Sequence, residues 1–273
     1  GSASASWPGR KELTAERARF TFRPDGRSLE ALDTVGEGRL VLAPSSPRFG
    51  ERVITAGQLA LGFDVQTRLE TLRGLSGTQV AFYPGREAPP GSVPQETSSQ
   101  RLEATFDTAT QMLRAVDQSG DFQYREGERR AAADRARYLH ADSRLLLHGS
   151  PRLWDAKTRV AAEQIAVAVQ GERAEASGKV RSTHFLGAEG DREPTNVLAD
   201  RMVAEQRSQI VHYEGQVRAW RGQDVLESAS LDLDLAQRRV RSGARVRTSH
   251  LQPAARLAGA AADSTGSAKR PVI

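Results

Sequence analysis

Apolar side chains along this chain recur at every second position. Leu59, Leu61 and Phe63 alternate with Gln58, Ala60, Gly62 and Asp64; Leu231, Leu233 and Leu235 alternate with Asp232 and Asp234; Ile165, Val167 and Val169 alternate with smaller or polar residues. A period of two over five or more residues predicts a strand with one buried face. Drawn as a helix, Leu231, Leu233 and Leu235 would spread around its circumference. The stretch from Glu128 to Leu147, rich in alanine and arginine, also admits a helical drawing, although the strand reading leads.

The alternating runs belong to a repeat. Single glycines lead into alternating runs, two to four residues before the first large apolar position, at Gly38, Gly77, Gly120, Gly149, Gly178, Gly215 and Gly243, separated by 39, 43, 29, 29, 37 and 28 residues. The unit is therefore about 28–29 residues long, with insertions in three intervals. Upstream of most glycines a second run opens near an alanine, often followed by an acid or glycine: Thr14-Ala15-Glu16, Thr55-Ala56-Gly57, Ala133-Asp134, Ala162-Glu163 and Ala199-Asp200. Pro24-Asp25-Gly26 reads as a hairpin turn, because proline presets the first central dihedral and glycine accepts positive φ.

The insertions 43–50, 84–99 and 187–195 are rich in proline, glycine and serine and read as rim loops. This divides the chain into a tag or linker over 1–10, a first β-repeat region over 11–83, a loop or linker over 84–99, a second region over 100–251, and an Ala/Gly/Ser-rich tail over 252–273 expected to be disordered. No export signal is visible at the start. Modules that each expose one apolar strand face bury it by stacking or by folding two sheets together, and their end strands present unpaired backbone to a neighbour. The fold class expected is all-β.

Composition changes the picture in four places. Hydrophobic content of 38% supports a real core. The net charge of +5 comes from 39 basic and 34 acidic residues that are interspersed, a solvated surface rather than a nucleic-acid stripe. Only Lys11, Lys157, Lys179 and Lys269 are lysines, so nearly every cation is a guanidinium fork suited to phosphate and carboxylate. There is no cysteine, which removes thiolate catalysis, Cys-ligated zinc and disulfides.

Two stretches, Leu198-Ala199-Asp200-Arg201 through Tyr213-Glu214-Gly215-Gln216-Val217 and Ala133-Asp134-Arg135-Ala136-Arg137-Tyr138 through Leu145-Leu146-Leu147-His148-Gly149, resemble the OstA-like repeats of the lipopolysaccharide transport (Lpt) proteins, the family of LptA, LptC and the periplasmic domain of LptD. The resemblance covers residues 100–250 well and 12–83 more loosely. It implies an elongated, twisted β-jelly-roll, or two in succession, in the periplasm, with or without a membrane anchor in a longer form of the protein. It further implies a lipopolysaccharide ligand with its acyl chains inside, and edge-strand partners that are other Lpt jelly-rolls or further copies of the chain. Candidate interior residues are Phe63, Val80, Phe82, Phe106, Tyr138, Trp154, Ile165, Val167, Val180, Val217, Trp220, Leu231 and Leu233. Arg152, Arg181, Arg218 and Arg247, in outward phase, are the candidates for meeting lipid phosphates at the rim.

No catalytic constellation is legible. His140, His148, His184, His212 and His250 lack metal-ligand spacing, and no phosphate loop, nucleophile elbow or dinucleotide fingerprint appears. Asp232 and Asp234 share one strand face, whereas a glycosidase needs its carboxylates across a cleft. The expectation is a non-enzymatic carrier without cofactor or nucleic-acid partner; the alternative is a carbohydrate-binding or self-assembling structural β-solenoid.

Overall fold

The computed structural model describes residues 3–7, 11–44, 47, 49–168, 173–186, 193–205, 207–243 and 246–250. They form one antiparallel 19-stranded sheet. The strands are β1 (Ala3–Trp7), β2 (Lys11–Phe22), β3 (Leu29–Leu42), β4 (Phe49–Phe63), β5 (Leu69–Pro84), β6 (Gln95–Ser99), β7 (Arg101–Phe106), β8 (Leu113–Glu126), β9 (Arg129–Leu139) and β10 (Arg144–His148). They continue with β11 (Arg152–Trp154), β12 (Thr158–Ala161), β13 (Gln164–Ala168), β14 (Arg173–His184), β15 (Thr195–Glu205), β16 (Ile210–Arg221), β17 (Asp224–Asp234), β18 (Arg239–Arg241) and β19 (Arg247–His250). The long strands pair with their sequence neighbours, while the short strands β6 and β7, β10 and β11, β12 and β13, and β18 and β19 lie end to end and pair with flanking strands. The chain is thus an all-β, twisted jelly-roll. Residues 128–147, for which a helix was the competing drawing, form β9, a turn and β10.

The sheet becomes two facing layers because its strands bend or break midway. In β14, residues 173–177 pair with β13 and with 201–205 of β15, whereas 180–184 pair with β12 and with 195–199. The register shifts between Ser177 and Val180, where β14 carries one extra residue. Comparable shifts fall at Ser119/Phe122, Leu198/Arg201 and Glu214/Val217. Elsewhere the bend is a gap, as between β6 and β7 or β10 and β11. Layer I holds the strand halves next to the hairpin turns at Pro24–Gly26 and Asp64–Arg68; layer II holds the opposite halves, including β1, β6, β11, β12 and β19.

The repeated glycine makes the bend. At Gly215 φ is +77° and at Gln216 +45°, a left-handed pair that inserts one residue and turns the strand, as glycine-led bulges do. Gly120, Gly149 and Gly178 repeat this with their successors. The alanine–acid pair is the other half of the device. Ala133 and Ala199 are buried at the bend, while the carboxylates of Asp134, Glu163 and Asp200 lie over the α-carbons of Gly149, Gly178 and Gly215, where a Cβ would overlap them. In the first repeats hydroxyls replace the acid. Thr34 Oγ1 accepts from Leu59 N at 2.9 Å and donates to the Gly36 carbonyl at 3.0 Å, and Thr78, Ser99 and Gln118 form a buried hydrogen-bonded group. Gly38 is needed for close approach, not for φ: a Cβ there would meet Thr34 Cγ2 at 2.8 Å.

Two apolar clusters fill the space between the layers. One runs from Leu13 to Phe106, the other from Phe122 to Leu233. They meet on β8, whose Leu113 and Val116 pack on the first and whose Tyr124 packs on the second. The sheet is continuous through the stretch read as a loop, since Gln95–Ser99 is β6, paired with β5 and β8. Residues 3–7, read as tag or linker, are β1, paired with 11–15. The tail from 252 lies outside the described residues.

Candidate functional site: the interior and its open side

Strand phase decides what reaches the interior. Phe63, Val80, Phe106, Ile165, Val180, Val217, Leu231 and Leu233 are buried, and Phe82 and Val167 pack half-buried against the clusters. Tyr138 points inward at the end of β9, opposite Val116 and Leu145, and its hydroxyl meets His140 Nδ1 at 3.3 Å. Trp154 and Trp220 face outward. Their in-phase neighbours are Arg152 and Arg218, while Leu153, Val217 and Ala219 take the inward positions. The interior is filled by its own side chains: Leu40, Leu59, Leu69, Leu72, Leu147, Val197 and Tyr213 are 0% exposed.

Because each strand folds at its bend, the free rims of the two layers face one another across an open side. The inward row of layer II nearest that opening runs Lys11, Leu42, Arg52, Phe82, Gln95, Glu126 through successive strand pairs. Two members are cations. Lys11 Nζ donates to Gln111 Oε1 at 3.0 Å, joining the layer II rim to a layer I turn, and lies 5.9 Å from the Phe106 ring centre. The Arg52 guanidinium lies 5.9 Å from the Phe82 ring centre and has no carboxylate partner among the described residues. Burial lowers the pKa of both, and Tyr138 partly offsets this for Arg52. The one acid of the row is already engaged: Glu126 accepts from Gln95 Nε2 at 2.8 Å and from the Tyr124 hydroxyl at 3.1 Å. The opening therefore offers positive charge beside aromatic rings to an anion whose remaining body is apolar.

Deep in the second cluster one polar group crosses between layers. Tyr213 of layer I places its hydroxyl 2.6 Å from both Ser182 Oγ and His184 Nε2 of layer II. His184 is 1% exposed, its Nδ1 has no hydrogen-bond partner among the described residues, and burial depresses its pKa to about 4. Tyr213 is correspondingly raised by burial.

Both ends of the interior carry inward apolar residues left uncovered. On β2, residues 17–22 have no outer neighbour among the described residues, and Phe20, opposite Leu32, is 46% exposed. At the other end Val240, opposite Leu233, is 45% exposed.

The four arginines assigned to the rim occupy the outer face of layer II, away from the open side. Lys11 and Arg52, which do face it, were passed over although their alternation with Leu13 and Ile54 signals the inward phase. Of the histidines, His212 lies on the outer face of layer I, hydrogen-bonded to Asp232 and, at 3.1 Å, to Glu214; the Asp232 bond above all raises its pKa. Among the described residues no group of three or more His, Asp or Glu side chains is placed to hold a metal ion. Two surface depressions of about 450 and 430 Å³ lie outside the interior, one among the loops around Val93, Arg129 and Lys157 and one over the bend at Thr34 and Gly36.

No family model matches the chain, and no curated protein matches it in sequence. Among solved structures it is similar to LptH of Pseudomonas aeruginosa, described as the LptA-homologous periplasmic component of the conserved lipopolysaccharide transport device. The TM-score is 0.42 at 14% identity, over 46% of this chain and 95% of that one.

Proposed function

We propose that the protein is a periplasmic carrier of lipopolysaccharide that shields acyl chains between its two layers, as part of a bridge across the envelope. The observation that carries this reading is the pairing of an apolar interior with Lys11 and Arg52 at its open side. Acyl chains replacing self-packed side chains lose little apolar burial, while a lipid phosphate supplies the counter-charge that the half-buried Arg52 lacks. The resemblance of the modules to OstA-like repeats points the same way. Neighbouring jelly-rolls, of the same or a related chain, would add at the open ends, covering Phe20 or Val240 and pairing the free edge of β2. The carrier does no bond chemistry; direction and energy come from its partners.

The competing carbohydrate reading calls for paired acids beside the outward tryptophans, whereas Trp154 and Trp220 stand among arginines. The test is retention of intact lipopolysaccharide by the purified protein. Retention that falls with Arg52→Gln, holds with the outward Arg201→Gln, and is absent for de-acylated core oligosaccharide supports the proposal. Equal retention of the de-acylated form would move the reading to a saccharide binder.

A further inference from the structure

The outer face of layer II differs in kind from that of layer I. Strand register brings Arg152, Arg181, Arg218 and Arg247 onto a single transverse row, each separated from the next by one intervening strand: Arg152–Ala161–Arg181–Leu198–Arg218–Glu227–Arg247. With neighbouring strands about 4.8 Å apart, the guanidinium-bearing positions repeat every ~9.6 Å. The next row toward the rim carries Arg130, Trp154, Arg159 and Trp220 in the same phase. Trp154 is 38% exposed, and Arg159 lies 5.8 Å from the ring centre of Phe185. From Ala132 to Arg247 and from Arg130 to Ser249, Glu227 is the one carboxylate on these rows, 3.8 Å from Arg218. Beyond these spans Glu96 continues the rim row two strands past Arg130 and Glu193 lies 3.9 Å from Arg221, while at the bend Asp134, Glu163 and Asp200 fold over their glycines and Glu163 binds Lys179 at 2.8 Å.

Layer I supplies the internal comparison. Its outer face also carries many arginines, but they are matched by acids and ion-paired: Arg137 with Asp117 at 3.7 Å, and Arg144 and Arg173 both with Glu175, at 3.6 and 2.9 Å. A merely solvated surface would give both faces this mixed character. Among the described residues, the two rows of layer II between β9 and β19 combine an extended arginine grid, carrying one carboxylate, with two indoles. Guanidinium groups bind lipid phosphates through paired N–H donors, and tryptophan favours the headgroup level of a bilayer.

We propose that the outer face of layer II docks on the surface of an anionic lipid bilayer. The inference does not rest on the interior holding lipid. It is tested by flotation of the full chain with phosphatidylcholine vesicles and with vesicles that also contain phosphatidylglycerol, comparing Arg152→Gln/Arg181→Gln with the layer I pair Arg137→Gln/Arg201→Gln, which removes the same charge. At about fivefold per arginine near a charged surface, the layer II pair should weaken binding to anionic vesicles roughly 25-fold, and the layer I pair should leave it within about twofold. Binding should also fall with added salt, and in a Trp7→Phe background the emission of Trp154 and Trp220 should shift to the blue on anionic vesicles. Equal loss in both pairs, no preference for anionic over neutral vesicles, or binding to heparin without binding to vesicles would overturn it. Unchanged urea midpoints for both pairs, expected because all four positions are exposed, would separate lost docking from lost fold.

Discussion

Replacing Tyr213 by phenylalanine removes one oxygen from the centre of the second cluster. Ser182 Oγ and His184 Nε2, both 2.6 Å from that oxygen, are left in a region where Ser182 is 3% and His184 1% exposed. Among the described residues His184 Nδ1 already has no partner, so the ring would keep none there. A buried polar group stripped of its partner costs about 1–3 kcal/mol, and two such groups, one of them a hydroxyl free to rotate, should together cost about 2–4 kcal/mol. Little packing is lost, because the ring stays. The assay is urea unfolding followed through Trp154 and Trp220, which both lie on strands of the second cluster, with the midpoint falling at constant slope. The control is the triple variant Tyr213→Phe/Ser182→Ala/His184→Leu. Removing all partners together replaces a polar group by apolar ones of similar shape, and should regain more than half of the loss. A cost below about 0.5 kcal/mol for Tyr213→Phe, or a triple variant no more stable than the single one, would refute the view that this hydroxyl satisfies groups the core cannot otherwise accommodate.

Four further outcomes are expected. His184 is held to about pH 4 by burial against about 6.5 unfolded, so the unfolded chain takes up the proton first as pH falls, and stability should drop between pH 6.5 and 4 by up to about 3 kcal/mol; His184→Leu should flatten that slope in acid titration of the urea midpoint. His212 acts with the opposite sign, its raised pKa giving stability below its unfolded value that is lost as pH rises, but the exposed ring keeps the effect small. Gly215→Ala, which meets both a left-handed φ and the Asp200 carboxylate, should cost about 2–4 kcal/mol, whereas Gly77→Ala, with φ +84° and open space around it, should cost only the ~1–2 kcal/mol of the backbone term. Equal costs would mean that the acid over the glycine is incidental. Lys11→Met should leave the urea midpoint within about 0.5 kcal/mol, since it exchanges a half-buried cation for an apolar chain of like length, while weakening retention of lipopolysaccharide.

The all-β class and the glycine-marked repeat were legible because both are local: period-two alternation needs no partner strand to be read. That the repeated glycine bends its strand was not, because the bend is defined by the change of pairing on either side of it. Ile165, Val180, Val217, Leu231 and Leu233 were placed inward on alternation, and they are. Trp154 and Trp220 were named among the interior candidates against the phase set by Leu153 and by Val217 and Ala219, and phase prevails because strand geometry leaves no choice of face. Lys11 and Arg52 were legible in the same way, since Lys11-Leu13-Ala15 and Arg52-Ile54-Ala56 keep the inward beat, although the sequence reading assigned them no face. What no single stretch could reveal is the row from Arg152 to Arg247. It exists only through pairings across seven strands, and the bulges at Leu198/Arg201 and Glu214/Val217 reset the register that aligns it. The crossing of Tyr213 to His184 is likewise non-local, joining residues 29 apart in sequence on opposite layers.

The most direct test of the central claim is site-specific photocrosslinking in a lipopolysaccharide-producing Gram-negative cell, with the probe placed at Ile165, 1% exposed within the interior, and separately at Arg201 on the outer face of layer I. Lipopolysaccharide adducts at Ile165 and few at Arg201 are the predicted result. A folded β protein with adducts at neither position would contradict it, and would make the space between the layers an ordinary closed core.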